Sequence, residues 1–69
     1  MYDLDYLNRW LEETEKDLKK LKEDLEHFIT LMEKTDDDDA YGLIIMEITD
    51  EIVDAEEAVM WLQQEINKF

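Results

Sequence analysis

Residues 4–32 read LDYLNRWLEETEKDLKKLKEDLEHFITLM, and this stretch decides the fold. Leu4, Leu7, Leu11, Thr14, Leu18, Leu21, Leu25, Phe28 and Met32 follow one another at steps of three and four in strict alternation. A strand would need a step of two. Alternation of three and four keeps the series on one stripe of a helix, the heptad seam of coiled coils. Leu4, Leu11, Leu18, Leu25 and Met32 take the a positions and the others take d. Thr14 is the one polar member. The series predicts a single helix over about residues 3–34, about 48 Å long at 1.5 Å per residue.

Working outward, the second half repeats the pattern. Tyr41, Ile45, Ile48, Ile52, Ala55, Val59, Leu62, Ile66 and Phe69 are spaced four and three throughout, and none is charged. A second helix over about residues 39–68 follows. Its β-branched residues lower helix propensity slightly, which packing overrides. Between the two lies Thr35-Asp36-Asp37-Asp38-Asp39. Four adjacent carboxylates repel one another and compete for backbone N–H groups, which marks a turn over 35–39. The same residues precede a helix, where one aspartate caps free N–H groups and the rest favour the positive end of the dipole. Asp38 or Asp39 is the expected cap. A short connection makes long helices antiparallel neighbours. The fold class expected is all-α: one domain over residues 1–69, an antiparallel hairpin of two long heptad-patterned helices.

A hairpin of 69 residues buries one seam and little else. Apolar residues nevertheless remain after the seams are assigned. In the second helix Met46, Val53 and Met60 recur every seven residues at b, with Leu43, Ile44, Ala58 and Trp61 nearby. In the first, the surplus is Trp10 and Leu31 at g, Ile29 at e, and Tyr2 and Tyr6 near the start. One partner helix cannot cover so wide an arc. A second hairpin would, giving a four-helix-bundle homodimer. Trp10, Met46, Val53, Met60 and Trp61 are therefore the expected apolar surface, for a second copy or for another protein.

The chain has 21 acidic and 7 basic residues, a formal charge of −14. Direct nucleic-acid binding and an anionic membrane surface are both disfavoured, since each runs on lysine and arginine. The lysines at 16, 19, 20 and 22 are the only candidate basic face, and acids surround them. In the first helix Glu12 with Lys16 and Glu15 with Lys19 are i,i+4 pairs in the favourable order, and Lys20 with Asp24 and Lys22 with Glu26 are reversed pairs. The second helix has no such compensation. Glu47, Asp50, Glu51, Asp54 and Glu57 share a face, with Lys68 the lone base after residue 42. Such a face either keeps the chain solvated or meets a basic partner.

Catalytic signatures are missing from the sequence. There is no cysteine, hence no thiolate and no disulfide framework. The one histidine, His27, falls at an outward c position with Glu23 and Asp24 before it. A di-metal carboxylate bundle needs acids in the core, and neither seam has one. An EF-hand loop begun at Asp37 would have Asp39 and Gly42 in register, but Tyr41 and Ile48 stand where oxygen ligands belong. No phosphate loop, nucleophile elbow or zinc pattern occurs. The expectation is a protein that is not an enzyme and carries no cofactor or metal. No apolar run reaches the ~18 residues of a membrane span. Met1-Tyr2-Asp3-Leu4-Asp5 lacks the basic segment of a secretory signal, so a cytoplasmic location is expected.

These properties resemble, in type and not by any shared motif, phage-encoded inhibitors of host nucleic-acid enzymes, anti-CRISPR proteins among them. The resemblance implies a nucleic-acid mimic, in which carboxylates on a rigid helix stand in for phosphates before a basic-surfaced partner. Asp36, Asp37, Asp38, Asp39, Glu47, Asp50, Asp54 and Glu57 are the residues expected at that contact. The rival expectation is an adaptor module, in which the apolar stripe of the second helix enters a partner's groove.

Overall fold

The structure, a computed structural model, describes residues 3–69. It consists of two helices, α1 (Leu4–Thr35) and α2 (Asp38–Asn67), packed against each other as a hairpin. Tyr2, counted above with the surplus of the first helix, lies outside the described residues.

Three of the four helix ends are capped by an aspartate. Asp3 has extended backbone and caps α1: its side chain accepts the Tyr6 N–H at 2.7 Å, and its carbonyl accepts the Leu7 N–H. At the far end Asp36 adopts the left-handed conformation, with φ 56° and ψ 31°, and donates its N–H to the Met32 carbonyl at 2.9 Å. Aspartate tolerates this region better than most residues with a Cβ. Asp37 then caps α2, accepting the Ala40 N–H on Oδ1 at 3.2 Å.

The cap of the second helix is therefore Asp37, not Asp38 or Asp39 as the sequence led us to expect. The left-handed Asp36 reverses the chain in one step, so α2 starts sooner. Asp38 and Asp39 fall in its first turn, where their charges face the positive end of the helix dipole. Only Asp36 and Asp37 stand between the helices.

Pairing across the hairpin is antiparallel. Phe28 meets Tyr41 near the turn, with ring centroids 6.2 Å apart. Lys22 reaches Glu56 midway at 3.9 Å, and Trp10 meets Trp61 toward the open end at 5.5 Å. The most deeply shielded of the described residues belong to the three-four series. Leu7 and Leu62 are fully buried, Ile52 is buried, and the others are half-buried, apart from Leu4 and Phe69 near the chain ends. Thr14 costs the seam little, because its hydroxyl donates to the Trp10 carbonyl at 2.8 Å.

The core is thin. Leu7, Ile52 and Leu62 are the only buried side chains among the described residues. The molecule measures 50 × 14 × 14 Å, with a radius of gyration of 15.6 Å. A compact chain of this length would have a radius near about 11 Å. Its accessible surface is 5565 Å², where a compact monomer of this mass exposes about 4,600 Å².

Candidate partner-binding face

Viewed down α2, with 100° per residue, three bands share the side turned away from α1. Met46, Val53 and Met60 form one line. Asp50 and Glu57 form the next, and Glu47 and Asp54 the one after. The apolar line is open to solvent: Met46 is 64% exposed, Val53 49% and Met60 59%. Leu43, one turn before Met46, is also exposed. The four acids are exposed as well. A hydrophobic line and an acidic band thus lie side by side on one helix surface.

The expected contact residues fall into groups with different employment. The four turn aspartates are occupied by the fold. Asp36 reverses the chain, Asp37 caps α2, and Asp38 and Asp39 complement its dipole. Glu47, Asp50, Asp54 and Glu57 have no such role. Among the described residues the ion pairs within 4 Å are Lys22 with Glu56 and Lys68 with Glu65, and neither includes one of these four acids.

The apolar residues also separate. Met46, Val53 and Met60 stay together on their line. Trp10 and Trp61 instead pack edge-to-face across the hairpin, with Tyr6 against Trp10 at 6.0 Å. Trp10 is half-buried and Trp61 is 41% exposed. This aromatic group closes the open end of the hairpin. Tyr6, Arg9, Trp10 and Glu13 line a shallow cleft there, of about 380 Å³. A second cleft, of about 340 Å³, lies between Asp17, Lys20, Leu21 and Asp24 of α1 and Glu51 of α2.

Two sequence expectations about α1 are corrected. The i,i+4 pairs of Lys16, Lys19 and Lys20 do not close within ion-pair distance, and Lys22 reaches across to Glu56 instead of along α1 to Glu26. Exposed pairs gain too little to hold two long side chains in one geometry. His27 is exposed and sits 5.5 Å from the Phe28 ring, so its imidazole lies beside an aromatic edge. Among the described residues no three histidine or carboxylate side chains gather into a group that could hold a metal. No helix among them is long and apolar enough to cross a membrane.

The chain matches no protein-family model, no curated protein and no solved structure. What the face can do rests on its own chemistry. It offers directional anionic oxygens on a rigid rod, spaced by a helical turn, beside flexible thioethers that adapt to irregular surfaces.

Proposed function

We propose that this protein is a non-enzymatic, cytoplasmic binding protein. In this reading it is a homodimeric helical bundle that inhibits a basic-surfaced partner by presenting α2 carboxylates to it. A nucleic-acid enzyme is the partner class that fits best. A groove built for phosphates already holds arginine forks and lysines, and a row of carboxylates satisfies the same donors. One observation carries the reading. Glu47, Asp50, Asp54 and Glu57 are exposed on one face, and none of them is in an ion pair among the described residues. Like charges at such spacing disfavour the helix, so the fold gains nothing from them. The same net charge argues against direct contact with nucleic acid or an anionic membrane.

The exposure of Met46, Val53 and Met60 favours a second reading, an adaptor that docks through its apolar line. Salt separates the two, because screening weakens the ionic contact steeply and the apolar one hardly at all.

The test is parallel capture from a nuclease-treated bacterial lysate, using tagged wild type and the variant E47K/D50K/D54K. The wild type should retain a nucleic-acid enzyme that moderate salt releases, and the variant should retain none while keeping its helical circular-dichroism signal. Equal retention by both would refute the carboxylate contact. A partner that resists high salt would move the function to the apolar line.

A further inference from the structure

We propose that the occupant of the apolar line is a second copy of this chain, whose α2 packs antiparallel on it with the two-fold axis at Val53. This rests on the dimer reading above and fixes its geometry. Met46, Val53 and Met60 are seven residues apart, so each step advances about 10 Å along the helix and drifts about 20° around it. The order Met-Val-Met is the same from either end. A two-fold axis through Val53 lays Val53 on its own twin and Met46 on Met60 of the second copy, as a self-complementary interface requires. The drift matches the shallow left-handed crossing of packed helices.

The surface bookkeeping favours a second copy as the occupant. Among its described residues the hairpin has three buried side chains, and it exposes more area than a compact monomer of its mass. One long face measures 50 × 14 Å. If covered, it would remove about 1,400 Å² in total from the two copies, within the range of stable interfaces.

The flanks follow from the same axis. Thr49 of one copy approaches Glu56 of the other, and Asp50 approaches Glu57. The second pair is a like-charge contact, made twice, so association has to strengthen as salt screens it. Glu47 and Asp54 lie farther round and stay open on both copies. The dimer would therefore carry two antiparallel rows of carboxylates, one per copy, about 10 Å apart at ordinary helix spacing. A phosphate-binding groove would then meet two anionic strands of opposite direction instead of one.

The chain has no cysteine, so single-cysteine variants report the geometry directly. With oxidised glutathione as oxidant, V53C should form a disulfide-linked dimer. M46C and M60C should each remain uncrosslinked alone and crosslink when mixed. Sedimentation of the cysteine-free protein is run alongside. Its dimerisation constant should rise about fivefold or more between roughly 20 and 300 mM salt, if screening of the Asp50–Glu57 pairs governs it. A dimer that leaves V53C uncrosslinked, or in which M46C alone crosslinks, would overturn this geometry and leave the dimer standing. A constant that falls with salt would overturn the placement of Asp50 beside Glu57. A monomer at every salt concentration would overturn the dimer reading and this inference together.

Discussion

The two helices are of similar length and make opposite use of their outer surfaces. α1 has one apolar stripe, widened only toward its ends by Tyr6, Trp10, Ile29 and Leu31, and elsewhere acids and bases are intermixed, with Arg9, Lys16, Lys19, Lys20, Lys22 and Lys34 spread among ten acids in residues 1–34. Its sequence is accounted for by folding and solvation. α2 has the matching stripe and, beyond it, an exposed apolar line and an acidic face that no base on its own helix offsets. The fold requires neither. Where one of two paired helices carries features that the pairing leaves unused, those features are where function is to be sought.

Substitutions can break or sharpen this contrast. The largest effect is expected inside the seam. Leu62→Ala removes a fully buried side chain and should cost about 2–5 kcal/mol in chemical denaturation. Met60→Ala, two residues away on the open line, should change the hairpin's own stability by only about 0.5 kcal/mol at low protein concentration. It should weaken self-association instead, as read by sedimentation. Equal costs for the two would mean that the exposed line belongs to the core and that the two surfaces of α2 are not distinct.

A smaller effect, of opposite sign, is expected at Gly42. It lies inside α2, its φ is not positive, and a Cβ added there would meet nothing within 4 Å. Gly42→Ala should stabilise by about 0.5–1 kcal/mol, seen as a rise in Tm of about 2–8 °C. A fall would show that a neighbouring molecule, such as the second copy, approaches the backbone at that point.

The smallest effect concerns charge. With −14 on the chain, self-repulsion opposes the compact state, so moderate salt should raise Tm. Asp54→Lys, on the uncompensated face, should stabilise the fold more than Glu12→Lys in α1, by roughly a few tenths of a kcal/mol. Thermal melts at low ionic strength measure both. The reverse order would mean that the bases interspersed along α1 do not offset its acids and that the contrast in charge has no energetic content.

The sequence shows the helices plainly, because a series such as Leu4 to Met32 is compatible with one period only. It also locates the turn, since four adjacent aspartates suit little else. It does not identify the capping residue, because identical side chains in a row offer nothing to choose between them. The choice was made by the backbone of Asp36, whose left-handed conformation is available to any of the four. Contacts between the helices were equally hidden. Trp10 with Trp61, and Lys22 with Glu56, depend on the exact length of the connection, which periodicity leaves open. The line Met46-Val53-Met60 was legible because it needs no register, only a count of seven along one helix. Its neighbours Glu47, Asp50, Asp54 and Glu57 could be placed the same way, whereas which turn aspartate takes which role could be seen only in three dimensions.

The meeting of Trp10 and Trp61 gives the molecule a reporter of its own. These are its only two tryptophans, they come from opposite helices, and their rings lie 5.5 Å apart at an interplanar angle of 61°. Two indoles this close and not parallel couple their excited states, so the pair absorbs circularly polarised light as a unit rather than as two separate rings. Fraying of the open end separates them and removes that signal, while the turn at Asp36 and most of the helical backbone stay intact. Splaying of the helix ends is therefore optically distinct from unfolding, with no label added to the chain.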